Sequence, residues 1–185
     1  MHNIDNLAHL QQAYRQQCKL KYLFFWGHTP KQANQVDKAV LSQWFPAPFE
    51  VNGERYATAE HYMMAEKARL FGAEDIRLNI IASQSPKQAK DWGRSIQGFD
   101  ELVWKQHRFA IVCAGNYAKF AQHPNLQAFL LNTGNRVLVE ASPVDKIWGI
   151  GMAQDHPNCT NPLLWQGLNL LGFALMKVRA QLQGE

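Results

Sequence analysis

Residues 58–71 read TAEHYMMAEKARLF, and the reading of this stretch decides the fold. Its apolar residues recur at helical spacing, Thr58 supplies a hydroxyl suited to cap a first turn, and Gly72 supplies a stop. Turning each residue by ~100° about a helix axis from Glu60 places Phe71, Met64 and Ala68 on one side of it and Lys67, Met63 and Leu70 on the other. His61, Tyr62, Ala65, Glu66 and Arg69 cover the remaining faces. Glu60 and Lys67 therefore fall where a packing helix should be apolar. Burying unpaired charge is expensive, so the pair reads in one of three ways. It is a buried ion-pair network, a helix edge from which both side chains reach water, or a functional site.

Immediately upstream, PFEVNGERYA at 48–57 is a hairpin signature, with Asn52-Gly53 suited to a type I′ turn between two short strands. Pro46 and Pro48 exclude a helix there. Further back, Gly27 to Lys38 reads as a polar loop, KLKYLFFW at 19–26 as a strand, and residues 4–19 as an amphipathic helix with Ile4, Leu7, Leu10 and Tyr14 apolar. Downstream, helices are expected at 73–82 and 86–93, the second capped by Ser85 with Pro86 at its first position. The longest amphipathic helix is expected at 100–122, and a short one from Pro124 to Leu131. RVLVEA at 136–141 reads as a strand and DKIWGIG at 145–151 as a loop. A last helix is expected from about Pro162 to Gln183, apolar nearly all round in LNLLGFALM. The class is α+β, mainly α-helical, with a few short strands.

A chain of 185 residues, 46% hydrophobic and 18% charged, fits one globular domain with a substantial core. No apolar run is long enough to span a bilayer, and the N-terminus lacks the layout of a secretory signal. Cys18, Cys113 and Cys159 form no CxxC pair, and their odd number argues against a disulfide framework. These features predict a cytoplasmic protein without a membrane partner. The net charge of +4 suits an anionic ligand, but its scatter along the chain does not describe a protein that coats DNA.

Several common sites are missing. The chain has no GxxxxGK[ST] loop, no HExxH and no GxSxG elbow, its histidines are dispersed, and Gly149-x-Gly151 lacks the third glycine of a dinucleotide fingerprint. No metal and no cofactor is called for. What remains is a carboxylate, a lysine, tryptophans and glycine turns. Trp44 and Trp148 sit in loops beside Pro or Gly and are candidates to stack on a planar base. The Trp148-Gly149-Ile150-Gly151 turn is a candidate to bring N–H groups close to a phosphate. Arg94 reads as a phosphate ligand or as an exposed residue at a helix end. Asp145 reads as a ribose ligand or as a turn residue. Asn169 reads as a buried hydrogen-bonder, or as a ligand contact if the last helix lines the pocket.

With these motifs in view, the chain resembles the NADAR, or YbiA-like, family. The resemblance is carried by FFWG at 24–27, LSQWFPAPFEVNGERYATAEHYMMAEKARLFG at 41–72 and SPKQAKDWGRSIQGFDELVWKQHR at 85–108. It continues in GNYAKFAQHPNLQAFLLNTGNRVLVEASPVDKIWGIG at 115–151 and LLWQGLNLLGFALMKVR at 163–179. It implies one NADAR/YbiA-like domain over 22–185, preceded by a helical extension over 1–21. It also implies an N-glycosidase that hydrolyses a phosphoribosylamino-pyrimidine, a riboflavin-pathway intermediate, and releases ribose 5-phosphate. The alternatives are a hydrolase removing ADP-ribose from guanine bases in DNA, or a module that binds ADP-ribose or a related nucleotide without turnover. LSQWFP departs from the family's LSNFYP, with Gln43 for Asn and Trp44 for Phe, and Ala59 replaces the serine of TSEHY. Breaking a base–ribose bond builds positive charge on the ribose, which a fixed carboxylate stabilises while it orients or deprotonates water. Glu60 is the candidate for that role. Lys67 would attack an opened ribose if neutral, or bind phosphate or hold Glu60 ionised if charged.

Overall fold

The computed structural model describes residues 4–32 and 35–184. Residues 1–3 of the expected extension, 33–34 of the expected loop and the last residue of the expected domain lie outside this description. The chain forms two compact units. One is Met1–Ser42 with Gln127–Glu185, and the other is Gln43–Leu126.

The Gln43–Leu126 unit holds the hairpin and the helices that follow it. Strands β2 (Phe49–Val51) and β3 (Glu54–Tyr56) pair antiparallel, with Phe49 opposite Tyr56 and Val51 opposite Glu54. Asn52 and Gly53 both have positive φ, 53° and 80°, which is what a type I′ turn demands. Helix α2 (Ala59–Leu70) follows, then α3 (Glu74–Ile81), α4 (Pro86–Arg94) and α5 (Glu101–Gln122). Thr58, Ser85 and Asp100 cap α2, α4 and α5, each accepting from a first-turn N–H.

Helix α2 packs against α3, α4, α5 and β3, so every residue from Ala59 to Ala65 is buried. This corrects the expectation of one greasy face, because His61 and Tyr62, on the remaining faces, are buried as well. The rings of Phe49, Tyr56 and Tyr62 lie 5.1–6.0 Å apart and fill the space under the hairpin. Arg77 of α3 pairs with Glu54 and Glu74, and Arg69 bonds Glu54 at 3.0 Å, which ties β3 to α2 and α3.

In the other unit, α1 (Leu7–Arg15) buries Leu10 and Ala13 and is shorter than the expected 4–19. Strand β1 (Tyr22–Phe25) pairs parallel with β4 (Val137–Glu140), Tyr22 opposite Val137. A 3-10 turn at Lys38–Leu41, capped by Asp37, ends the segment read as loop. Helix α6 (Pro124–Asn132) carries the chain back into this unit, and α7 (Leu170–Gln183) packs on β4.

The last helix begins at Leu170 rather than near Pro162. Two amides just before it find partners elsewhere than in a helical ladder. Gln166 N–H donates to Ile150 O and Leu168 N–H to Lys146 O, both at 3.0 Å. Gly172 makes the packing of α7 on β4 possible, since a Cβ there would stand 2.1 Å from Leu138 O.

Candidate active site

Glu60 stands in the first turn of α2 and is 3% exposed. Its N–H donates to Gln43 O at 3.0 Å, and Gln43 is anchored in turn by Asn116 Nδ2, which donates to Gln43 Oε1 at 2.6 Å. The N-terminal end of a helix favours a negative charge at this position. His61 reinforces the turn. Its Nε2 faces Ser83 O at 3.3 Å, an acceptor, so Nε2 carries the proton and Nδ1 accepts from the Thr58 hydroxyl at 2.8 Å. Burial holds the His61 pKa below its ordinary value, and the bond to Ser83 opposes that shift, so the ring is neutral near pH 7.

Lys67 lies seven residues further on, ~10 Å along the axis. Its Nζ donates to Gly93 O at 2.9 Å and sits 4.2 Å from the centroid of Phe99 and 5.7 Å from that of Trp104. Burial lowers its pKa, Glu101 pulls the other way, and Arg94 adds to the lowering. Glu101 and Arg94 are thus two charges that act on Lys67. Arg94, at the end of α4, is exposed, with Asp91 3.7 Å away. Trp44 is half-buried, 5.8 Å from Lys90 Nζ. Glu60, Lys67, Trp44 and Arg94 all belong to the Gln43–Leu126 unit.

Asp145, Trp148, Gly149, Gly151 and Asn169 belong to the other unit. Asp145 Oδ1 accepts from Ile147 N and Trp148 N at 2.8 and 2.7 Å, the geometry of a turn residue. Ile150 N donates to Glu140 O and Gly151 N to Asp145 O. Of the N–H groups that the sequence offers as candidates for a phosphate, those of Trp148, Ile150 and Gly151 are engaged inside the unit. Gly149 is there for close approach, since a Cβ would stand 2.8 Å from Glu140 O, and Gly151 adopts φ +67°. Trp148 is half-buried. Asn169 is wholly buried, with Oδ1 accepting from Glu140 N at 3.0 Å and Nδ2 donating to Leu138 O at 2.9 Å. It is the structural hydrogen-bonder of the two readings, bridging β4 to the start of α7.

Two buried cations on α5 escaped the sequence reading. Lys119 is fully buried, near the rings of Phe45 and Phe120 at 5.6 and 5.1 Å, and burial pushes its pKa down to about 7. Arg108 is 6% exposed. The signal for both is a helical stripe through Trp104, Arg108, Val112, Asn116 and Lys119, the pattern that singled out Glu60 and Lys67. Among the described residues no group of three His, Cys, Asp or Glu could hold a metal ion, and no helix is long and apolar enough to cross a membrane.

The fold is a helical α+β one, with a buried acid in the first turn of α2 and a lysine two turns on. The chain belongs to the NADAR domain family, whose model matches residues 24–183. It is 44% identical to N-glycosidase R617 of Acanthamoeba polyphaga mimivirus, over 88% of this chain and 97% of that protein. It is 34% identical to N-glycosidase YbiA of Escherichia coli strain K12, over 79% and 82%. A maize chloroplastic riboflavin biosynthesis protein, PYRR, is 36% identical over 72% of this chain and 21% of its own length. The NMR structure of E. coli YbiA superposes with a TM-score of 0.71 at 29% identity, covering 88% of this chain and 85% of that one. Helix α1 lies outside the segment matched by the family. These relationships make the chain an N-glycosidase, a hydrolase acting on N-glycosyl compounds.

Proposed function

We propose that this enzyme hydrolyses the base–ribose bond of a phosphoribosylamino-pyrimidine of riboflavin biosynthesis and releases ribose 5-phosphate. The observation that carries the reading is Glu60, a carboxylate 3% exposed at the head of α2. The names of the N-glycosidase relatives and of the maize riboflavin protein support the substrate class.

In the reaction the bond between the ribose anomeric carbon and the base nitrogen breaks, and its electron pair leaves with the nitrogen. The Glu60 carboxylate stabilises the positive charge left on the ribose and accepts a proton from the attacking water, and that proton passes on to the departing nitrogen. Its exclusion from bulk solvent strengthens that interaction. Trp44 offers a face for the base, and Lys67 with Arg94 supplies positive charge for the 5-phosphate.

The test is a product assay by mass spectrometry. Wild-type protein is expected to release ribose 5-phosphate from the pyrimidine substrate, and Glu60→Gln, which keeps the shape and removes the charge, to lose at least ~100-fold in rate. Near-normal turnover by that variant sinks the assignment of Glu60. Guanine-ADP-ribosylated DNA is assayed in parallel, and release of ADP-ribose from it alone would replace the metabolite by modified nucleic acid. A borohydride-trapped adduct on Lys67 would give that lysine a covalent role instead of a phosphate contact.

A further inference from the structure

Arg108 is buried with one arm of its guanidinium lacking a hydrogen bond. Its side chain is 7% exposed, yet Nη1 is sealed from solvent and finds no hydrogen-bond acceptor among the described residues. The carboxylate nearest to it is Glu101 Oε1, at 3.8 Å, beyond hydrogen-bond distance. Glu101 is half exposed and is also 3.9 Å from Lys105 Nζ. A buried charge left in this condition is costly, and folded chains keep such groups where something anionic completes them.

The surroundings name that anion. Arg108 follows Trp104 by one helical turn on the buried face of α5, and the Trp104 ring lies 5.7 Å from Lys67 Nζ. Glu101 acts on both cations, being 3.8 Å from Arg108 Nη1 and the charge that favours protonated Lys67. Arg94 acts on Lys67 from the end of α4. Three basic side chains therefore share one region, with the half-exposed Glu101 as the acid acting on both Lys67 and Arg108. A phosphate monoester carries up to two negative charges and three acceptor oxygens, which matches a planar guanidinium fork beside an ammonium.

We propose that Arg108, with Lys67, forms the subsite for the terminal phosphate of the substrate, and that Glu101 yields its place beside Arg108 when the phosphate binds. The identity of that phosphate as the 5-phosphate of ribose rests on the reading of the preceding section.

The test is calorimetric titration of the full-length protein with ribose 5-phosphate, with inorganic phosphate and with ribose, alongside thermal unfolding without ligand. Arg108→Met is expected to weaken ribose 5-phosphate and phosphate binding at least tenfold, to leave ribose binding unchanged, and not to lower the unliganded melting temperature. Glu101→Gln, at a half-exposed position where misfolding is no concern, is expected to tighten phosphate binding severalfold. A purely structural Arg108 would give the reverse for Arg108→Met, a lower melting temperature with unchanged ribose 5-phosphate affinity, and that result overturns the proposal. If Arg108→Met does not fold, unchanged phosphate affinity in Glu101→Gln overturns it equally. Because these titrations need no turnover, phosphate capture through Arg108 without pyrimidine cleavage would remove the proposed substrate and leave the subsite standing. Cleavage with an unaltered KM in Arg108→Met would do the opposite.

Discussion

Lys119 gives the structure a pH dependence that a single substitution isolates. Its ammonium is fully buried on α5, and burial moves its pKa from an ordinary 10.5 to about 7. Between those values the unfolded chain holds a proton that the folded chain has released. Stability therefore rises with pH across this window, and the penalty is fully present only below about pH 7. The linkage relation puts the cost to the wild type at ~4 kcal/mol at pH 7, ~3 kcal/mol at pH 8 and ~1 kcal/mol at pH 10. Lys119→Met keeps an unbranched apolar chain of similar length and removes the titration. Urea unfolding of both proteins between pH 7 and 10 should show the Met variant gaining most at neutral pH, with the difference closing by ~3 kcal/mol toward pH 10. At a typical slope of ~2 kcal/mol per molar urea, the gap between the midpoints should narrow by ~1.5 M. Every other titrating group is common to the two proteins and cancels. A difference that stays constant across the range would refute the argument, because it would mean the lysine is charged in the folded state throughout.

Asn169→Leu should cost roughly 2–5 kcal/mol in urea unfolding, since it leaves Glu140 N and Leu138 O buried without their partner. Gly172→Ala should cost ~3 kcal/mol or more, because the added methyl meets the backbone carbonyl of Leu138 and not a side chain that can swing away. Acid should act through His61. Its folded pKa lies below the unfolded value of ~6.5, so the stability it contributes is present above that value and is lost as pH falls toward the folded pKa. A melting-temperature profile from pH 7 to 5 that is as steep in His61→Gln as in the wild type would contradict this.

Local chemistry made the hairpin and the caps legible. Asn52-Gly53 is a sequence few other turns want, and Thr58 and Ser85 each precede a helix they could be seen to cap. Glu60 and Lys67 stood out because a charge on an apolar stripe is conspicuous. Tertiary surroundings hid the rest. Nothing in TAEHYMMAEKARLF says that three helices and a strand will enclose it, so the burial of His61 and Tyr62 is not legible there. The start of α7 is hidden from the sequence because residues 166 and 168 give their N–H groups to the 146–150 loop, a partner remote in sequence. Arg108 and Lys119 were legible in principle, since the rotation applied to α2 would have found them on α5.

The parallel pairing of β1 with β4 has a consequence for how the protein is made. Residues 26–136 intervene between the two strands, whereas β2, β3 and α2 to α5 follow one another without a break. On the ribosome, at ~5–20 residues per second, β1 must wait many seconds for its partner to be synthesised. The hairpin and its helices find their partners within residues 43–126, all made before β4 emerges, and can fold during that interval. Closing the long loop is then an entropic step taken late, and contacts so distant in sequence are the slow ones in refolding. Until then β1, with Phe24 and Phe25 beside Trp26, emerges as an aromatic strand with an open edge, the segment of the nascent chain most in need of protection from its neighbours.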